Sequence, residues 1–419
     1  MNTSRLKTSL LALALCGAGA QAQTLQDWLP SRAEVAAVLH ASPHIRSARD
    51  RQDAMVQRAR GLETGAGEWT LRLNQQQRRA RDPQQRFAET TFALERPVRL
   101  WGKAALDAQL AEQDRALARI FLADALHESS RDLLNQWFSA LHAALNAESG
   151  EQELQLARQL HRQARVRLAQ GDIAPLDARL AEAELLRSQA SARLAQAELE
   201  RSAVQWQRLY PGLRQPRWPQ PPLADQKPFV QRTLRQVEDL ELLLQQHHEL
   251  RLLKGQAQRQ QQLAERLARE RWADATVGVY TARERAGAEQ LVGLSLALPL
   301  PGVYRDSQAH AALAEAGMLT QQAAQLEREL TARFETRARL VLEQEQALED
   351  LQAAAVTQRL AADKSLIAYN MGEHSMTEVI HNRRLANEQQ LANKRLLLDW
   401  LLNLALIELD AHRLWDLDD

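Results

Sequence analysis

Two stretches of this chain stand in register: residues 92–103, FALERPVRLWGK, and residues 294–305, LSLALPLPGVYR, with Pro97 over Pro299 and Lys103 over Arg305. The helix-forming runs that follow are interrupted at matching places, by Gly171 and by Gly372. SPHIRSARD, after Ala41, and QHHELRLLKG, after Gln245, hold corresponding places further upstream. Three landmarks in one register mean an internal duplication, which restricts the chain to folds assembled from one unit used twice. The copies span residues 23–209 and 230–419. The join between them, residues 210–229, is rich in prolines that exclude both helix interior and central strand.

Each copy reads helix, strand, strand, very long helix, break, helix. The helical runs place apolar residues three and four apart, as at Leu106, Leu110, Leu117 and Phe121, then Leu176, Leu180, Ala183, Ala190, Leu194 and Ala197. That is a coiled-coil seam with many small residues, although amphipathic helices of a soluble bundle fit each segment alone equally well. The strands discriminate. Four are expected, near 68–77, 87–96, 272–281 and 290–299, each close to the about 9 to 11 residues that cross a bilayer as a tilted strand. Their alternation puts Trp69, Leu71, Phe92, Leu94, Val277, Val279, Leu294 and Leu296 on a lipid-facing side, and polar residues such as Thr70, Arg72, Glu89 and Ser295 opposite. Asp274 and Glu89 are then candidate lumen acids.

Four strands cannot close a barrel, and open edges are not tolerated in lipid, so the chain is expected to assemble with copies of itself. Two copies give eight strands and a filled interior; a conduit needs at least three, with twelve strands. Helix lengths agree. Residues 101–170 allow about 105 Å of helix, and the return in two pieces, 175–208 and 230–270, gives roughly 50 and 60 Å. The second copy closes similarly if 376–414 stacks end to end with 31–62.

A formal charge of zero argues against a nucleic-acid partner. At the N-terminus, Arg5 and Lys7 precede a short apolar run and Ala20-Gln21-Ala22, the pattern of a secretory signal (residues 1–22) cleaved after Ala22. Cys16, the only cysteine, lies within it, behind Leu15 where a lipoprotein signal places a small residue. Beyond it, no apolar run approaches the about 20 residues of a transmembrane helix.

This pattern resembles the TolC family of trimeric outer-membrane channels, and within it the heavy-metal efflux branch with CzcC-like and CusC-like members. SPHIRSARD, LPLPGVYR and the two glycine breaks carry the resemblance, which spans essentially the whole mature chain. It implies a mainly α fold with a membrane β-barrel: four strands per protomer in a twelve-stranded barrel, and a hollow helical cylinder in the periplasm. It implies a homotrimer in the cell outer membrane that works with a periplasmic adaptor (membrane-fusion) protein and an inner-membrane RND-type transporter. In that family the helix hairpins end in a Gly-x-x-Ser/Thr turn that meets the adaptor. The second copy keeps it, in Gly372-Glu373-His374-Ser375. The first reads Gly171-Asp172-Ile173-Ala174, with Ala174 in the hydroxyl position.

No catalytic constellation appears: there is no nucleophile elbow, phosphate loop or His-Glu-x-x-His, so neither an enzyme nor a cofactor is expected. His247-His248 is the only adjacent histidine pair. On one helix such residues point about 100° apart, so the pair reads as surface and not as a metal site. Asp172, Asp177, Glu373 and Glu378 at the tips would form carboxylate rings around a trimer's mouth and favour cations, or else simply complement helix ends. The leading expectation is a passive exit duct of a tripartite efflux system, for heavy-metal cations. The same duct serving drug, peptide or protein export is the alternative, and a soluble periplasmic coiled-coil scaffold the second.

Overall fold

The computed structural model describes residues 29–82, 84–217 and 240–417. The expected signal segment with Cys16, most of the proline-rich join and the expected opening of the second copy, residues 230–239, lie outside the described residues. The first copy comprises α1 (Arg32–Ala41), α2 (Pro43–Thr64), β1 (Thr70–Ala80), β2 (Gln85–Val98), α3 (Lys103–Gln170) and α4 (Pro175–Leu209). The second comprises α5 (Leu240–Gln246), α6 (His248–Arg269), β3 (Ala275–Glu284), β4 (Glu289–Ala297), α7 (Val303–Asn370) and α8 (Met376–Asp410). The lengths repeat as well as the order: α3 and α7 have 68 residues each, α4 and α8 have 35, and α2 and α6 have 22. At 1.5 Å per residue the long helices reach about 102 Å and their hairpin returns about 52 Å. Along each long helix, the return helix covers one part and the 22-residue helix another, so α3 packs on α4 and α2, and α7 on α8 and α6. The copies join through α3, which also packs on α6 and α8.

Three helix boundaries differ from the sequence expectation. The stretch 31–62 is not one helix: Ser42 takes an extended conformation, its hydroxyl accepts from the Ile45 N–H, and Pro43 opens α2. Proline at the first helical position gives up an N–H that has no intrahelical partner anyway, so the break costs little. The stretch 230–270 is likewise interrupted at His247, between α5 and α6. At the C-terminus, α8 stops at Asp410, and the chain folds back so that Leu414, Trp415 and Leu417 are buried and the Trp415 indole donates to the Pro30 carbonyl at 2.7 Å.

The largest core lies at mid-height, where several helices end together. It gathers Leu133, Trp137 and Phe138 from the middle of α3, Trp206 from the end of α4, Leu401 and Leu404 from α8, and Val35 from α1. Trp137 meets Trp206 edge-on with ring centroids 5.5 Å apart. Such a pair is worth about 0.5–1.5 kcal/mol beyond its burial.

The strands form one antiparallel sheet in the order β1-β2-β3-β4, so the copies meet at the β2–β3 pairing. Register lines the apolar residues into rows: Leu71, Leu94, Val279 and Leu294 stand side by side, as do Leu73, Phe92, Thr281 and Val292. All the apolar members of these rows are exposed, Leu294 at 83% and Leu71 at 72%. The opposite face carries Thr70, Glu95, Gly278 and Ser295 in one row and Arg72, Ala93, Tyr280 and Gly293 in the next. There Glu89 is buried, with Arg78 Nε 3.0 Å from its carboxylate and Gln76 donating to it at 2.9 Å.

A buried ionic lock joins sheet to helices. Lys103, at the start of α3, has no exposed surface and places its ammonium 3.1 Å from Glu270 and 2.7 Å from Asp274. One turn on, Asp107 receives Arg99 at 2.9 Å and Arg266 at 2.6 Å. Arg99 also donates to the carbonyls of Leu62, Glu63 and Thr64, which closes the C-terminal end of α2. Asp274, expected as a lumen acid, is instead a partner of this lock. A carboxylate beside a buried ammonium is held by it, because neither charge can be left unpaired out of water.

Candidate functional site

The two hairpin corners are the sharpest local features, and their backbones are the same. Gly171 has φ 79° and Gly372 φ 82°. In the first corner the N–H groups of Gly171 and Asp172 donate to the Leu168 and Arg167 carbonyls at 3.0 and 2.9 Å; in the second those of Gly372 and Glu373 donate to Tyr369 and Ala368 at the same distances. This paired pattern is a Schellman motif, and its left-handed residue selects glycine because a Cβ there crowds the backbone. An added Cβ would meet no neighbour within 4 Å at either site, so φ and not space is the constraint.

The helix starts that follow differ. Ser375 accepts from the Glu378 N–H, while the Glu378 carboxylate accepts from the Ser375 N–H at 2.8 Å, a complete capping box. These bonds to the Ser375 backbone and hydroxyl hold the Glu378 carboxyl below its ordinary range. Ala174 offers no side-chain cap, and Pro175 opens α4 instead. Asp177 sits in the first turn of α4, where a negative charge complements the helix dipole.

The corners lie side by side. Ile173 packs with Leu180, Ala181, Tyr369, Met376 and Val379 in one small cluster, whereas His374, its counterpart, is exposed. Asp172, Ala174, Glu373 and Ser375 are all exposed. The Arg167 guanidinium stands 4.9 Å over the Tyr369 ring, which ties one hairpin to the other. Further up, Glu184 of α4 is buried and bonded to Arg187 at 2.9 Å and to Arg384 of α8 at 3.1 Å. Burial alone would raise the Glu184 carboxyl, yet the two guanidiniums outweigh it and hold it below its ordinary value. Sequence reading missed this clamp, although Glu184 and Arg187 carry the i, i+3 spacing of a helical ion pair.

His247 and His248 are not surface residues; they are 3% and 2% exposed. The helix break at His247 removes the premise that both sit on one regular helix. Among the described residues, no three metal-ligating side chains converge as they stand, and no helix is long and apolar enough to cross a membrane.

No family model matches the sequence, and no curated protein matches it either. Solved structures do match in fold. CusC, described in terms of transmembrane channel formation, aligns with a TM-score of 0.70 at 11% identity over 91% of each chain. The Campylobacter jejuni CmeC outer membrane channel aligns at 0.70 and 11% identity over 99% of this chain and 94% of that one. The outer-membrane channel OprN aligns at 0.70 and 15% identity, over 92% and 90%. The fold is therefore that of the TolC-like outer-membrane channels: a mainly helical chain with a short four-stranded sheet.

Proposed function

We propose that this chain is the outer-membrane exit duct of a tripartite efflux system, a homotrimer with a twelve-stranded barrel and a periplasmic helical cylinder. The observation that carries this reading is the sheet: four strands with their apolar residues aligned on one exposed face, and two outer strands with no further strand beside them among the described residues. Only lipid on that face and further copies at the edges satisfy both. The return helix α4 also needs covering, since Leu176, Leu186, Leu194 and Val204 stand exposed on one chain.

In this reading Trp69, Leu71, Phe92, Leu94, Val277, Val279, Leu294 and Leu296 face lipid. The corners Gly171–Ala174 and Gly372–Ser375 meet the periplasmic adaptor, and an RND-type inner-membrane transporter drives the flux. Asp172, Asp177 and Glu373 form cation-favouring rings at the closed end; Glu378 lies beside them, with its carboxylate committed to the helix cap. The cargo we assign is heavy-metal cations, on the family resemblance of the sequence.

Mass measurement in detergent tests the assembly, and a stable monomer would remove the duct reading. Leu294→Arg, on the exposed apolar face, should cost about 2 to 4 kcal/mol near mid-membrane. Ser295→Arg, on the opposite face, should cost far less. Equal effects would refute the assignment of faces.

A further inference from the structure

Four of the 11 histidines of the chain meet in one place. His127 comes from α3, His247 and His248 from the break between α5 and α6, and His412 from the segment that follows α8. The ring centroids of His127, His248 and His412 form a triangle with sides of 5.6, 5.4 and 4.7 Å, and His247 lies 6.3 Å from His127. His412 holds a left-handed backbone, φ 54°, which few residues other than glycine adopt.

Ring packing leaves individual nitrogens of the cluster unused, Nδ1 of His248 among them. Both ring nitrogens of His247 are buried without a hydrogen-bond partner. A buried polar group in that condition calls for a ligand such as an ion or a water. The tautomer of His127 follows from its neighbour: Nε2 lies 3.3 Å from the Leu409 carbonyl, which can only accept, so Nε2 carries the proton. A neutral ring that donates from Nε2 keeps its lone pair on Nδ1, which lies 3.7 Å from Glu128 Oε1. Asp410 does not supply a counter-charge, because Arg131 at 2.6 Å and Arg337 at 2.9 Å already hold it.

With zinc–nitrogen bonds of about 2.0–2.1 Å, imidazoles sharing one tetrahedral ion have centroids about 5 Å apart. The triangle straddles that value. Each centroid lies close to its own Cβ–Cγ axis, so rotation about that bond redirects the nitrogens while leaving the separations nearly unchanged. Closing the site therefore takes rotation of the His248 and His412 rings, which exchange present contacts for the ion, while the Leu409 carbonyl holds His127.

We propose that His127, His248 and His412 bind one divalent transition-metal ion per chain, zinc(II) being the probe of choice, with His247 as the adjoining fourth imidazole. The ion clamps the C-terminal segment to α3 and α6, and so fastens the second copy to the first. A carbonyl on the far nitrogen of a ligating histidine is the usual way its orientation is fixed, and Leu409 supplies one to His127. The site rests on these side chains and stands whatever the duct exports.

The test is equilibrium dialysis of the full chain in detergent, stripped with chelator and then titrated with zinc. One zinc per chain is expected, with a raised thermal midpoint. His248→Gln and His412→Gln should each weaken binding by about 100-fold or more, beyond the usual cost of losing only an outer-shell partner. His381→Gln, at an exposed position of α8, should leave binding unchanged. Cobalt(II) added to the unmodified chain should give the intense visible bands of tetrahedral coordination, discharged by zinc, a readout that requires no variant to fold. Absence of saturable zinc binding, binding insensitive to both variants, or cobalt spectra of an octahedral aquo ion would each overturn the site. None of these results bears on trimer mass or export, so the duct reading fails or survives separately.

Discussion

The two hairpin corners share a backbone and differ in side chains. Both reverse the chain with the same pair of N–H bonds and a left-handed glycine, yet the second restarts its helix with Ser375 and Glu378 and the first with Ala174 and Pro175. Proline presets φ and gives up a donor, whereas the serine box satisfies two donors. The difference teaches that duplication fixed the path of the chain, and that helix initiation tolerates two chemical solutions. It also sets the corners' surfaces apart: Ile173 turns into the cluster between hairpins, and His374 faces outward. The first corner thus anchors the hairpins to one another, and the second presents more polar surface.

Gly171→Val and Gly372→Val should have the largest effect, because each forces a β-branched residue to positive φ at about 1–2 kcal/mol or more. Export should fail while trimers persist, as judged by efflux complementation and mass in detergent. A loss at one corner only would mean that the adaptor reads a single hairpin. Next, Ser375→Ala should lower stability by about 1 kcal/mol, while Ala174→Ser leaves it unchanged or raises it by a few tenths, in denaturant titrations of the two variants. Matching losses would show that a hydroxyl at position 174 is disfavoured and that the capping box is not what separates the two corners.

The pH dependence sharpens the same comparison. Glu184 joins the hairpins and has a lowered carboxyl, so its contribution is fully present above the unfolded value near 4.5 and is lost as pH falls through the lower folded value. Glu184→Gln should flatten that acid limb of a melting-versus-pH curve and cost about 1 kcal/mol at neutral pH, since Arg187 and Arg384 remain partly hydrated. An unchanged acid limb would show that the clamp does not couple the hairpins. Smallest in stability, Asp172→Asn with Glu373→Gln should leave melting unchanged and reduce cation preference in planar bilayers. Unchanged selectivity would reduce both acids to helix-end charges.

How far the sequence disclosed this arrangement depended on the range of the signal. The sheet faces are legible because alternation has period two: it puts Leu71 and Leu294 on one face, and register places both in the same row. The corners were legible because a left-handed glycine ending a helix is a local event. The break at Ser42 was also local, a Ser-Pro pair, and a reading of one continuous helix passed over it. By contrast, the histidine triangle joins residues from three distant segments, and no window of sequence contains it. The Lys103 lock is of the same kind, since Glu270 and Asp274 reach it only after the strands have paired.

The equal lengths of α3 and α7 limit how this architecture can change its span. A single inserted residue advances a helix by about 1.5 Å and turns every later side chain by about 100°, which takes the seam off its partner. Seven residues, two turns, are the smallest step that keeps the seam, and they move a corner by about 10 Å. Such an insertion in α3 has to be matched in α4, or the return no longer meets the mid-height core. It has to be repeated in α7 and α8, or the corners separate. Lengthening this cylinder is a fourfold coordinated event, so relatives with the same pairing should differ in height by whole heptads repeated in all four helices.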